Sequence, residues 1–180
     1  MTIKLFVSLL FFISISNVQA DVKFTKINAP TLSQLNGILR AERNSFAQNP
    51  PDGYVMPSYS LAKNEIDLYK VSYDSIIPEQ GDKPTKAYGL LALPKDRSSS
   101  PMPIISYQHG TAFGKYEVPS YAFSDQVNPV SYETRLMVAQ FASQGYIVIA
   151  ADYFGMGDSN EPEAYTVKAR GCPIFCVSDG

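Results

Sequence analysis

The stretch PIISYQHGTAFG, residues 103–114, places a short apolar run directly before His109, the single histidine of the chain. A continuous run of this length is typical of a strand that is covered on both faces in a parallel sheet. A second such run opens the stretch YIVIAADYFGMGDS, residues 146–159, which ends in a glycine turn. We therefore expect two buried neighbouring strands, with His109 just after the first.

A helix is predicted between these two strands. Asn128 is a suitable N-cap, Pro129 fits the first turn, and Gly145 stands just past the end. The broad apolar face of this helix would consist of Leu136, Met137, Val138, Phe141 and Ala142. Strand, helix and strand in this order predict a βαβ crossover, and thus an α/β fold.

The N-terminal part of the sequence predicts a helix and a hairpin. Residues 28–43 carry apolar side chains on one helical face, with Asn28 as the N-cap and Pro30 early in the helix. That face consists of Leu32, Leu35, Ile38 and Leu39. Residues 65–76 and 86–94 alternate as strands do and are joined by a turn-rich segment, so we expect an antiparallel pair. The predicted architecture is an α/β sheet in which an antiparallel leader hairpin precedes the βαβ unit.

Residues 1–20 have the features of an export signal. Lys4 precedes an apolar run that ends near Ile15, and Val18 and Ala20 stand before a suitable cleavage point. Cleavage near Ala20 predicts a secreted or periplasmic protein. The apolar run is shorter than the roughly 20 residues that span a bilayer, and no later segment approaches that length.

The composition argues against several classes of partner and ligand. A net charge of −2 without a basic cluster gives no support for binding to nucleic acid or to an anionic membrane surface. Cys172 and Cys176 either pair in an oxidising compartment or remain free, and with one histidine they are too few for a zinc site. No metal and no organic cofactor is implied.

Two interpretations of His109, one catalytic and one structural, follow from its position. As the base of a triad, His109 requires a serine on a sharp turn, usually marked by G-x-S-x-G, and a carboxylate such as Asp152. That pentad does not occur in the sequence, and the nearest candidate is Ser178 in CVSDG. The other interpretation makes His109 part of the framework around a site.

The turn after the second strand offers a weaker alternative function. Gly155 and Gly157 directly follow a strand, as in a dinucleotide-binding loop, but Asn160 stands where the third glycine is needed. A tight turn in which both glycines adopt positive φ is the simpler interpretation.

The apolar strand, HGTAFG, a helix and GYIVIAADYFGMGDS, in this order, resemble the first half of an α/β-hydrolase, in particular of secreted esterases and lipases. The resemblance covers about residues 64–168. It implies that Gly110 or Thr111 supplies a backbone N–H of the oxyanion hole, and that His109 holds this loop in place. We expect Gly110 to permit the φ that aims this N–H. The residues implied at the rim of the pocket are Asp152, Gly155, Gly157 and Ser159.

The resemblance also implies what the sequence lacks. In these enzymes the nucleophile elbow, the acid and the base histidine come later in the chain, so all three would fall beyond residue 180. We interpret residues 21–168 as a partial α/β-hydrolase domain and 169–180 as an aberrant or disordered tail. A frameshift or early stop is the leading explanation of this tail, and a genuine small protein is the rival.

The expected function is that of an N-terminal fragment of an exported serine ester hydrolase that is inactive alone. Its full-length form would take a small-molecule or lipid ester. The alternative is a non-catalytic exported binding or interaction protein on the same frame. The family's strand order predicts an open apolar edge at residues 103–107 and self-association through it. Tyr116, Tyr121 and Tyr153 either line an acyl site or are exposed amphipathic rings.

Overall fold

The computed structural model of the chain describes residues 21–45, 53, 55, 59–97, 101–124 and 131–162. In these residues, five strands form one mixed sheet with the order β1-β2-β3-β5-β4. The strands are β1 (Val22–Ile27), β2 (Ile66–Ile77), β3 (Lys83–Pro94), β4 (Ile104–Tyr107) and β5 (Ile147–Ala151), and the α-helices are α1 (Leu32–Ser45) and α2 (Tyr132–Phe141). Short 3-10 turns cover Pro78–Gln80, Pro119–Tyr121 and Ala142–Gln144. The export signal, Cys172, Cys176, Ser178 and the 169–180 tail lie outside the described residues.

The predicted leader hairpin is confirmed. Strands β2 and β3 pair antiparallel along their whole length, from Ile66 opposite Pro94 to Ile77 opposite Lys83. Strand β1 pairs antiparallel with the outer side of β2 and was not predicted. Its sequence, VKFTKI, does alternate apolar and polar residues, but it is short and mostly exposed. Such a strand is fixed by its neighbour more than by its own pattern.

Helix α1 begins three residues later than predicted, at Leu32. The cap is Thr31 rather than Asn28: the hydroxyl of Thr31 accepts the N–H of Gln34 at 3.3 Å, and the Gln34 side chain accepts the N–H of Thr31 at 2.8 Å. This reciprocal pair is a capping box, which satisfies two N–H groups at the helix start. Asn28 was the wrong cap because Thr31 and Gln34 together supply the stronger signal.

The predicted βαβ unit is confirmed. Strands β4 and β5 are parallel neighbours, and α2 connects them. Asn128 and Pro129, which were expected to start this helix, lie outside the described residues. At the other end, Gly145 adopts φ +99° and ends the 3-10 turn that extends α2.

Both helices pack on the same face of the sheet. The core between them contains Leu35 and Leu39 from α1, Leu136, Val138 and Ala139 from α2, and Leu68, Leu90, Ala92, Val148 and Ala150 from the strands. Met137 and Phe141, expected on the buried face of α2, are partly buried. The core is thus one layer of helices on one layer of sheet.

Much of the opposite face of the sheet is exposed in the described part of the chain, although Ala87, near the β2–β3 turn, is buried. Phe24 is 55% exposed, Ile104 62% and Ile149 44%, and all three point away from the helices. The expectation that β4 and β5 are covered on both faces is therefore wrong for these residues, since α1 and α2 lie on one side. As predicted, β4 is at the sheet edge and pairs only with β5 among the described strands. None of the described helices is long and apolar enough to cross a membrane.

We predict that the purified chain self-associates through this open face and the β4 edge, because unpaired strands and exposed apolar patches recruit other chains. Ile104→Lys and Ile149→Lys place a charge on this surface and are expected to lower the mass measured by light scattering after size exclusion. Leu61→Lys is the matched control, since Leu61 is 66% exposed but lies outside the sheet. A monodisperse monomer of the unaltered chain would contradict the prediction.

Candidate functional site

The candidate site lies at the carboxyl ends of the parallel strands β4 and β5. His109 follows β4 by two residues, and Asp152 follows β5 directly. In open α/β sheets, ligands bind in the crevice outside these strand ends. Two segments meet here, the His109 loop (residues 108–118) and the glycine turn (residues 152–159), and together they form the site.

The ring of His109 is held by the glycine turn. It stacks on Tyr153, with ring centroids 4.3 Å apart and an interplanar angle of 26°. The Tyr153 hydroxyl donates to the backbone oxygen of His109 at 3.0 Å. Nδ1 of His109 lies 2.7 Å from the carbonyl oxygen of Gly110, so a protonated Nδ1 donates to it. The stacking and the Nδ1 contact fix the position of the imidazole, and the bond from the Tyr153 hydroxyl fixes the backbone at His109.

The other ring nitrogen of His109, Nε2, is buried and has no hydrogen-bond partner among the described residues. Neither a hydroxyl nor a carboxylate of the described part bonds to this ring. Asp152, the carboxylate considered for a triad, instead accepts a backbone N–H from Ser120. The contacts are those of a framework residue, and the role of His109 in a reaction stays a prediction.

Gly110 and Thr111 expose the backbone that the resemblance assigns to an oxyanion hole. Both residues are exposed, and neither backbone N–H donates a hydrogen bond to another described residue. Gly110 does not adopt positive φ, and a Cβ built on it meets nothing within 4 Å. The expectation that this position needs the freedom of glycine is therefore wrong: the N–H is left free by the path of the loop.

Positive φ occurs in the glycine turn, as expected. Gly155 has φ +79° and Gly157 φ +60°, and Tyr153 also has positive φ, at +64°. The Ser159 hydroxyl accepts the N–H of Gly155 and that of Glu161, each at 3.2 Å. The Ser159 hydroxyl thereby links the beginning of the turn to the residues that follow it. These contacts give Gly155, Gly157 and Ser159 a structural role.

Asp152 connects the glycine turn to the segment after the His109 loop. Its side chain is fully buried, and Oδ1 accepts the N–H of Ser120 at 2.9 Å. Oδ2 has no hydrogen-bond partner among the described residues, and a Cβ at Gly157 would stand 2.7 Å from it. Burial raises the pKa of Asp152, and hydrogen bonding from Ser120 opposes this rise only in part.

Backbone and apolar contacts complete the connection between the two segments. Gly157 donates its N–H to the carbonyl oxygen of Lys115 at 2.7 Å. A small buried cluster of Ala112, Val118 and Met156 packs beneath them. The free N–H groups of the His109 loop therefore stand on a firmly supported segment.

A polar cavity of about 320 Å³ opens beside these N–H groups. Its lining includes His109, Gly110, Thr111, Glu117 and Glu133. The Glu117 carboxylate accepts the backbone N–H groups at positions 113 and 114, at 3.2 and 2.9 Å. Glu117 therefore stabilises the loop.

Glu133 accepts a hydrogen bond from Tyr107 at 3.0 Å and one from Tyr132 at 3.2 Å. Burial and the bond to Glu133 raise the pKa of Tyr107. Sequence reasoning singled out neither Glu117 nor Glu133, because nothing in the pattern around a glutamate reveals which donors a loop will turn toward it.

The loop tyrosines serve different purposes. Tyr121 donates to the carboxylate of Asp158, and Lys70 lies 3.1 Å from the same carboxylate and 3.5 Å from the centre of the Tyr121 ring. Tyr116 is 55% exposed and lies beside Tyr121, with ring centroids 4.9 Å apart. Tyr153 contacts His109 itself and also lines a neighbouring cavity. No cluster of three or more His, Cys, Asp or Glu side chains suited to a metal occurs among the described residues.

The chain matches no protein-family model and no curated protein. Among solved structures, it is similar to a Legionella pneumophila protein described as a "putative hydrolase", with 25% identity, a TM-score of 0.58, and coverage of 77% of this chain and 32% of that one. It is also similar to the rice cell wall degrading esterase LipA from Xanthomonas oryzae, with 24% identity, a TM-score of 0.51, and coverage of 79% and 30%. The chain therefore has an α/β-hydrolase-like fold and spans about a third of the length of these proteins.

We predict that the contribution of Asp152 to the free energy of unfolding decreases as the pH rises. Because its folded-state pKa is raised, its contribution is fully present below the ordinary aspartate pKa of about 3.9 and is lost as the pH rises through the folded-state value. Asp152→Asn keeps an oxygen that accepts the Ser120 N–H and removes the titration. The difference in unfolding free energy, unaltered chain minus variant, is expected to fall with rising pH in urea titrations.

Asp158→Asn is the control with the opposite sign. Burial alone would raise the pKa of Asp158, but hydrogen bonds from Tyr121 and Lys70 outweigh it and lower the pKa. The same difference is therefore expected to rise as the pH increases toward about 4. If the difference in unfolding free energy changed with pH in the same direction for both aspartates, the assignment of Asp152 as a buried, costly charge would be wrong.

Proposed function

We propose that this chain contributes the oxyanion-loop half of the active site of an exported serine ester hydrolase, whose substrate is a small-molecule or lipid ester. The observation that carries the proposal is the pair of unused N–H groups of Gly110 and Thr111. They lie at the carboxyl ends of the parallel strands, on a loop that is braced by the glycine turn. The hydrolase-like fold supports the same interpretation.

The chemistry requires such donors. When a serine attacks an ester carbonyl, the carbonyl oxygen becomes negatively charged, and backbone N–H groups aimed at it stabilise the transition state. Rigid placement matters because the donors then need no reorganisation during the reaction. In the family that the sequence resembles, a second N–H comes from the residue after the nucleophile. Gly110 or Thr111 would supply the first.

The nucleophile, the acid and the base are proposed to come from sequence other than these 180 residues. The chain contains no G-x-S-x-G. Its single imidazole is engaged by Gly110 and Tyr153. The competing assignment, Ser178 with His109 and Asp152, would require His109 to leave these contacts, and its Ser178 lies outside the described residues.

A second candidate function is that of an exported, non-catalytic binding protein. The uncovered sheet face and the free β4 edge favour it, because both are surfaces on which a partner chain can add a strand or bury apolar side chains. The two candidates differ in the DNA sequence expected downstream of codon 180. A G-x-S-x-G and a late histidine in any downstream frame would favour the hydrolase.

We predict that the chain alone does not hydrolyse short-chain nitrophenyl esters above the rate of a heat-treated sample, and that Ser178→Ala changes nothing. Sites that lack their triad retain only about 10³ to 10⁴ over water, and here one oxyanion donor would be missing as well. Turnover that disappears in Ser178→Ala would overturn the proposal.

In a longer product of the same gene, the oxyanion assignment can be tested directly. Thr111→Pro removes one N–H. Because an oxyanion-hole donor acts in the transition state, loss of the Thr111 N–H is expected to lower kcat about 10²- to 10³-fold with KM little changed. Thr111→Ala keeps the N–H and is expected to retain activity. Equal loss in both variants would assign the effect to the side chain rather than to the backbone.

Export is part of the proposal, and the structure gives it a local rationale. The backbone nitrogen of Asp21 lies 3.3 Å from Asp74 Oδ2, and β1 starts at the next residue. Cleavage after Ala20 would turn this nitrogen into a charged amino group facing a carboxylate. Such an exposed pair contributes little to stability, so it is compatible with cleavage at this position but does not require it.

We predict that the exported protein begins at Asp21. Expression with residues 1–20 intact is expected to yield a periplasmic or secreted chain whose N-terminal sequence reads DVKFT. Lys4→Glu reverses the charge of the signal's n-region and is expected to reduce export. Retention of the intact signal in the cytoplasmic fraction would contradict the prediction.

A further inference from the structure

A second cavity, here called the aromatic cavity, lies between the β2–β3 turn and the glycine turn. Its volume is about 310 Å³, near the lower end of the range for small-molecule sites. Four of its lining residues are aromatic, and these are Tyr73, Tyr88, Tyr153 and Phe154. Tyr88 shares its sheet face with the core residue Leu90, so it borders the cavity through its backbone, which leaves Tyr73, Tyr153 and Phe154 as the aromatic side chains that can wall it. Tyr153 also stacks on His109, so this cavity adjoins the candidate site.

The charge of this cavity has one sign. Among the described residues that line it, only Glu79, in the 3-10 turn after β2, is charged. Glu79 forms no ion pair with another described residue, so no cation neutralises its charge directly. The lysines of the adjoining hairpin are engaged elsewhere: Lys83 pairs with Glu161 at 2.7 Å, and Lys86 pairs with Asp74 at 2.6 Å.

Aromatic walls and a rim carboxylate together select for one kind of ligand. The face of an aromatic ring is negative and attracts a cation within about 6 Å of its centre. A quaternary ammonium group suits such walls because it carries a charge without hydrogen-bond donors that would need partners. An anion would be repelled by both the rings and Glu79. A neutral apolar ligand would gain burial but nothing from the charge.

We propose that the aromatic cavity is a binding site for an organic cation of the quaternary ammonium class. The ammonium group lies against the aromatic side chains, and Glu79 provides the nearby negative charge. The site requires no reaction and no residue of the oxyanion loop. The proposed cation site can therefore be tested independently of ester hydrolysis.

The test is a calorimetric titration of the chain with three ligands of one shape. These are benzyltrimethylammonium, its neutral isostere neopentylbenzene, and the anion phenylmethanesulfonate. The cation is expected to bind about three- to thirty-fold more tightly than the neutral ligand, and the anion to show no binding. Equal or tighter binding of the neutral ligand would show that the cavity is an apolar pocket without preference for a cation, and would overturn the proposal.

Two pairs of variants locate the site. Tyr73→Leu is expected to weaken binding of the cation, whereas Tyr73→Phe keeps the ring and is expected to preserve it. Glu79→Gln is expected to weaken the cation about threefold or more at low salt, with the neutral ligand unaffected. Glu65→Gln is its control, because Glu65 is another exposed glutamate and precedes the opposite end of β2.

These variants also give clear contrary outcomes. Similar losses in Glu79→Gln and Glu65→Gln would show a general charge effect and no site. Retention of full affinity in Tyr73→Leu would place the cation elsewhere and overturn the assignment. Because no step is catalytic, an inactive chain leaves this proposal intact, and a failure to bind cations leaves the proposed ester chemistry intact.

Discussion

One buried carboxylate determines how the two loops of the candidate site fit together. Asp152 is fully enclosed, and its single hydrogen bond to a described residue fixes the backbone at Ser120. A buried charge is costly unless it is well paired, and the raised pKa of Asp152 expresses that cost. Gly157 must stay without a side chain because a Cβ there would meet Oδ2 at 2.7 Å. The glycine turn and the carboxylate therefore depend on each other.

The sheet imposes the second constraint, because its two faces have different surroundings. On one face, α1 and α2 enclose Leu68, Ala92 and Val148. On the other, Ile104 and Ile149 are exposed among the described residues. The same strands that bring His109 and Asp152 to one edge thus also present an apolar surface. The candidate site at the strand ends and the exposed apolar face, which favours self-association, therefore both result from the same arrangement of strands.

Sequence patterns could predict the elements whose signal is local. The leader hairpin and the βαβ unit follow from alternation and from continuous apolar runs, and the positive φ of Gly155 and Gly157 follows from their place after a strand. The start of α1 was misplaced because several residues before Leu32 can cap a helix, and only the contact between Thr31 and Gln34 decides among them. Coverage of the sheet was misjudged because a continuous apolar run shows what a strand can bury, not what lies over it.

The site was harder to predict because its contacts join distant parts of the chain. His109 and Gly110 could be selected from the sequence, but the stacking of Tyr153 on His109 depends on the order of the strands and on a left-handed backbone at a tyrosine. A non-glycine residue at φ +64° is strained, and strain of this kind persists where the surrounding contacts hold it. The contacts that hold Tyr153 include the stacked ring and the bond from its hydroxyl to the His109 backbone.

Tyr153 also lines the aromatic cavity, so one side chain belongs to both parts of the site. A ligand that moved this ring would change the support of His109, and a shift of His109 would reshape the aromatic cavity. The two cavities can therefore influence each other to the extent that a ligand binds the two positions of Tyr153 with different affinity.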